Sequence, residues 1–130
     1  MARPISTKEH GILDLLTVGT LTAVPRIFRW EDRVTSLLTG AAGGMLGYSL
    51  LTRYQMGLIK LLPMKAHLSV DAAESSVLLS ARKLLGNGDR GAARILAVMG
   101  TAASAVAALT KTRSPEELAE TARPQLAHGD

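Results

Sequence analysis

His10 and Asp14 stand four residues apart, and so do His67 and Asp71, in a chain with only three histidines. On a helix that spacing puts an imidazole and a carboxylate on one face. Two such pairs brought together would offer two nitrogens and two carboxylates, a set able to hold a metal ion or to relay protons. A plainer reading uses the same residues. Each pair falls near a helix start, where the dipole favours an acid and a histidine orients or neutralises it close to an interface. Two His and two Asp form a nonspecific ligand set, so the residues alone assign no metal and no cofactor. His10, Asp14, His67 and Asp71 are carried forward as a candidate polar cluster. Glu74 has no partner in the other pair, where Thr17 takes its place; it is a solvated or headgroup-facing acid, or the one odd functional carboxylate.

Other chemistry is missing from the sequence. There is no Gly-rich phosphate cradle, nucleophile elbow, zinc motif or Ser/His/Asp arrangement, and no cysteine. The expectation is a protein that is not an enzyme. The 15 Lys and Arg against 11 Asp and Glu are scattered between apolar stretches, and aromatic residues are few. That pattern excludes nucleic acid as the expected partner.

The two pairs belong to an internal repeat. Shifting the chain by fifty-seven places sets Lys8, His10, Asp14, Leu21, Asp32, Arg33 and Gly43 on Lys65, His67, Asp71, Leu78, Asp89, Arg90 and Gly100 without a gap. Each copy reads as a helical hairpin. Ser6 and Glu9 form a capping box, so a first helix starts near Thr7 and runs to about Val24, before Pro25. Val34 to Thr52 is a charge-free run of nineteen residues, about 28 Å as a helix, close to the thickness of a bilayer core. RYQMGLIKLLPMK suits a short amphipathic segment or a loop. A third helix covers roughly His67 to Leu85 and a fourth, rich in small residues, Ala92 to Thr110. Asp32-Arg33 and Asp89-Arg90 place acids at the starts of the second and fourth helices. Ser114, Pro115 and Glu117 fit the cap and first turn of a short final helix that stops before Pro124, and QLAHGD should be loose.

These elements predict an all-α fold: a four-helix membrane bundle from two parallel hairpin repeats, about 7–53 and 65–111, joined by a linker at 54–64. A polar C-terminal tail with its short helix follows at 113–130. Gly40, Gly43, Gly44 and Gly47, and in the second copy Gly100 and Ser104, give small-residue strips for helix packing or for a partner. Asp71 and Glu74 argue the other way, since an acid at mid-bilayer costs about 2.5–3.5 kcal/mol. Basic residues divide almost evenly between the two sides, so orientation is not set.

The register of His-x3-Asp, an apolar helix, a proline eleven residues after the Asp, a polar turn and a small-residue helix resembles the SPW-repeat family of small bacterial and archaeal membrane proteins. The first copy, AVPRIF, keeps Pro25. The second, LSARKLLG, keeps Ser80 and has Arg82 where Pro would stand, with Leu84, Leu85 and Gly86 following. The Ser-Pro-Trp triplet is in neither copy. The resemblance implies a four-helix integral protein of the prokaryotic cytoplasmic membrane, with no assigned activity. The expected function is therefore a small noncatalytic membrane protein acting in structure or assembly. Its partners would be the lipid bilayer and, through the small-residue faces, a homo-oligomer or another membrane protein. Two alternatives stand beside it: an ion-handling protein using the His/Asp cluster, and a soluble helical bundle that binds an apolar ligand or partner.

Overall fold

The computed structural model of the chain describes residues 2–85 and 89–126. Helices α1 (Thr7–Ile27), α2 (Asp32–Leu50), α3 (Met64–Leu79), α4 (Ala81–Leu85), α5 (Arg90–Leu109) and α6 (Pro115–Leu126) follow one another, with no strand among the described residues. α1 packs along α2 and α3 along α5, giving the two expected hairpins. The N-terminus, the linker and α6 gather at one end of the bundle. There Ile5 pairs with Thr110 and Thr52 with Leu62 as isolated bridges.

Local chemistry explains most of the boundaries. The Ser6–Glu9 capping box opens α1 as expected, and the Asp89 carboxylate caps α5 by accepting from Ala92 N–H at 2.8 Å. Arg29, at φ 50°, turns the chain out of α1. Three expectations are corrected. α1 does not stop at Val24 but carries Pro25 inside its last turn and ends at Ile27; the proline withholds the donor that Leu21 C=O would otherwise receive. The third helix does not run unbroken to Leu85; it ends at Leu79, and Ser80 N–H closes onto Ser76 and Val77 carbonyls before the short α4. α6 passes through Pro124 instead of stopping before it. The expected looseness of QLAHGD lies, from Ala127 onward, outside the described residues, as does Gly86.

The linker is an irregular strap, not an amphipathic helix. It folds under the bundle and buries Thr52, Tyr54 and Met64 at the base, each 1% exposed or less. Gly11 makes room for it: a Cβ there would come within 2.6 Å of both Tyr54 and Met56. α6 docks on this strap. Ser114 Oγ donates to Arg53 O, Lys60 pairs with Glu116 and Arg53 with Glu120. Glu117 accepts from Met64 N–H at 3.1 Å, which caps α3, whose N-cap residue is Pro63 and has no side-chain bond to offer.

The buried positions of the two hairpins do not follow one register. The first helices keep the fifty-seven-residue offset: Thr7 matches Met64, His10 matches His67, Asp14 matches Asp71, and all are buried. The second helices are offset by fifty-eight. Val34 and Ala92, Leu38 and Leu96, Ala42 and Gly100, Ser49 and Ala107, Thr52 and Thr110 are the buried pairs. The gapless match of Gly43 with Gly100 is thus a coincidence of alignment. Gly40, Gly43, Gly44 and Gly47 are exposed, and a Cβ at any of them would meet nothing within 4 Å. Among the described residues they pack against no other helix. Gly100 does pack, its missing Cβ leaving space that Leu78 Cβ, Leu79 N and Ser75 O approach to 2.9 Å.

Candidate metal centre

The helices bring all four cluster residues together. His10, Asp14, His67 and Asp71 are buried, each between 0% and 4% exposed, and one ligand atom from each lies within 4.8 Å of the others. His10 Nε2 is 2.8 Å from Asp71 Oδ2 and 3.3 Å from Asp14 Oδ1. His67 Nε2 is 3.1 Å from Asp14 Oδ2 and 3.4 Å from Asp71 Oδ2. The two Nε2 atoms face each other at 3.2 Å. Each imidazole therefore meets the carboxylate of its own repeat and that of the other.

The far side of each ring fixes its tautomer. His10 Nδ1 is 2.9 Å from Thr110 Oγ1, and His67 Nδ1 is 2.8 Å from Thr52 Oγ1. A threonine hydroxyl has one proton, and here it is committed: Thr110 donates to Val106 O at 2.6 Å and Thr52 to Tyr48 O at 2.7 Å. The ring nitrogens must then be the donors, so each Nδ1 carries hydrogen. That assignment comes from the hydrogen-bond network. When the ring is neutral, that leaves its Nε2 lone pair aimed into the cluster.

If both rings are neutral, two lone pairs and two carboxylates aimed at one point repel each other. With neutral rings the cluster holds two negative charges where burial makes uncompensated charge costly. Protons on both Nε2 atoms would relieve this through two crossed ion pairs, His10 with Asp71 at 2.8 Å and His67 with Asp14 at 3.1 Å. A divalent cation would satisfy all four donors at once, and the spacing suits it: metal–ligand bonds of about 2.0–2.2 Å in a tetrahedron give donor separations of about 3.4 Å. Imidazole with carboxylate is a set for zinc and neighbouring divalent transition ions, and the Nδ1–H to threonine contacts are the outer support such ligands ordinarily have.

The surroundings are unequal in the two repeats. Asp14 accepts from Ser49 Oγ at 3.2 Å and from Tyr54 OH at 3.5 Å. Burial, together with the Asp14 charge, pushes the Tyr54 phenol up to about 12, so it is a neutral donor at physiological pH. Asp71 instead accepts from Tyr48 OH at 2.6 Å, and the same hydroxyl reaches Glu74 at 2.9 Å. Glu74, the acid without a counterpart, is half-buried beside the cluster. Sequence reasoning missed Thr52, Thr110, Ser49 and Tyr48. Only an alignment with a one-residue gap between the helices would have paired the two threonines.

Above the cluster, between the hairpins, lies a cavity of about 500 Å³. His10, Asp14, Asp71 and Glu74 line one end, and the remainder is mostly leucine, methionine, alanine and valine, with Thr17, Thr20 and Ser75 among them. Below the cluster, Thr52, Thr110, Tyr54 and Met64 close the bundle. In comparisons with known proteins, no family model, no curated protein and no solved structure matches the chain.

Proposed function

We propose that this chain is a small, noncatalytic helical membrane protein whose two hairpin repeats are joined by a buried divalent transition-metal ion, held by His10, Asp14, His67 and Asp71. The observation that carries the metal is the pair of Nε2 atoms 3.2 Å apart, with both Nδ1 atoms tied to threonines whose hydroxyl protons are already used. With four protein ligands the ion has a closed, structural type of site, and its binding energy would add to folding. That favours a role in assembly over ion flux, as does the seal of buried side chains beneath the cluster.

The membrane part of the proposal rests on where charge is absent. Between Glu9 and Arg26 in α1, beyond Arg33 in α2 and beyond Arg94 in α5, no charged residue occurs other than Asp14. Asp71 and Glu74 argued from sequence against insertion of the third helix. One is in the cluster, and the other stands 2.9 Å from the Tyr48 hydroxyl, whose single proton it shares with Asp71, facing the protein and not the lipid. Leucines, valines and isoleucines such as Leu16, Leu37, Val77 and Val98 stand exposed around this charge-poor zone, all more than half accessible. Among the described residues one helix, Arg90–Leu109, is long and apolar enough to cross a membrane. Two hairpins carrying His-x3-Asp motifs are also what kinship with SPW-repeat proteins would imply. The open strip of Gly40, Gly43, Gly44 and Gly47 is then the surface offered to a second copy or to another membrane protein.

The test has two parts. Carbonate-washed membranes should retain the chain, and the purified protein should carry about one equivalent of a divalent transition metal, lost in the Asp14→Asn/Asp71→Asn double variant. Recovery in the soluble fraction would overturn the membrane reading in favour of a soluble ligand-binding bundle. Failure to bind zinc or cobalt at micromolar concentration would overturn the metal centre.

A further inference from the structure

We infer that the cavity above the cluster is a binding site for a single-chain amphiphile with an uncharged oxygen head group, a long-chain primary alcohol being the simplest such molecule. This rests on the metal reading above, and names what the same site would hold beside it.

Three independent observations lead there. The first is shape and lining. The cavity of about 500 Å³ falls in the range of small-molecule sites, and it is mostly apolar, with its charged groups at one end and the hydroxyls of Thr17 and Thr20 turned back onto α1 carbonyls. It extends from His10 to Leu21 along α1, about 16 Å at 1.5 Å per residue, so it is long enough for an extended chain. The second is Ser75. It is 1% exposed, lines the cavity, and its hydroxyl has no hydrogen-bond partner. Its neighbours behave differently: Ser69 and Ser76 each donate to the carbonyl four residues back. A buried hydroxyl left unpaired is costly, and Ser75 stands one turn beyond Asp71 on the same helical face, where a head group beside the cluster would meet it. The third is access. Leu16, Leu37 and Val77 line the cavity yet are 62%, 63% and 58% exposed, so the cavity reaches the side of the bundle and not its sealed base.

Charge selects the head group. Two aspartates with a divalent ion sum to zero, and a carboxylate head would add an unbalanced negative charge beside Glu74 in an apolar site. A hydroxyl adds none. It can accept from Ser75 and present its own proton to the acidic end of the cavity.

The experiment uses cobalt-loaded full-length protein and 10-bromodecan-1-ol. Cobalt absorption reports on the head-group end. Trp30, the sole tryptophan, reports on the tail, because it packs against the cluster containing Leu21 and Leu38 at the far end of the cavity, and bromine quenches its fluorescence. Both signals should titrate with one midpoint. Ser75→Ala should weaken binding about threefold to tenfold with cobalt affinity unchanged, Ala103→Phe should abolish it by filling the cavity, and decanoate should compete poorly. If 1-bromodecane quenches equally well, or Ser75→Ala binds as tightly, the head-group assignment and the proposal fall. If cobalt binds but neither signal moves, the cavity inference alone fails. If cobalt does not bind at all, the metal reading fails and this inference falls with it.

Discussion

α2 and α5 hold equivalent places in the two repeats, yet they solve packing differently. α2 turns Val34, Leu38, Ala42, Met45 and Ser49 inward and leaves its glycines facing out. α5 puts Gly100 at the place of Ala42, and α3 closes onto it until backbone atoms stand 2.9 Å from the absent Cβ. The second hairpin is therefore set by backbone approach, the first by side-chain interdigitation. Both helices nevertheless end on a buried threonine that orients the other repeat's histidine. Similar small-residue composition thus served two purposes, while the polar contacts stayed matched.

The sharpest way to break this equivalence is at the cluster itself. His10→Ala and His67→Ala should each lower zinc affinity more than a hundredfold, and by similar factors, measured by competition with a chromophoric chelator. A large inequality between them would mean that the repeats do not share the ion. Thr52→Val and Thr110→Val come next, each expected to cost about 10–100-fold in affinity as outer-shell losses do, and again alike. The packing contrast is tested by Gly100→Ala, expected to destabilise by about 1–3 kcal/mol through overpacking, against Gly43→Ala, expected to stabilise the helix by about 0.5–1 kcal/mol. Denaturant titration in mixed micelles would read both, and equal effects would sink the contrast. The smallest effect belongs to Ser49→Ala, which removes one contact to Asp14. Since Ala107 already occupies the matching place, metal affinity should fall by less than the threonine variants show.

The hairpins, the capping box and the four candidate cluster residues were legible in the sequence, because helical spacing and caps are local. What stayed hidden depended on contacts between distant segments. The convergence of the cluster needs both hairpins docked, so each His-Asp pair alone reads as an ordinary helix start. The threonines were invisible because one extra residue between α3 and α5 shifts the second helices out of the gapless register. The glycines misled for a related reason: spacing reveals a smooth face but not which neighbour meets it, and α2's strip meets none within the chain. Glu74 looked like an obstacle to burial until Tyr48, twenty-six residues away, supplied its partner.

Each imidazole donates its Nδ1–H to a threonine of the opposite repeat, a crossing with a consequence for ancestry. Neither half contains a working fraction of the centre: a lone hairpin would have ligands without supports for them. A single ancestral hairpin would complete the site only by pairing with its own twin, so fusion of the two would preserve an existing symmetric dimer.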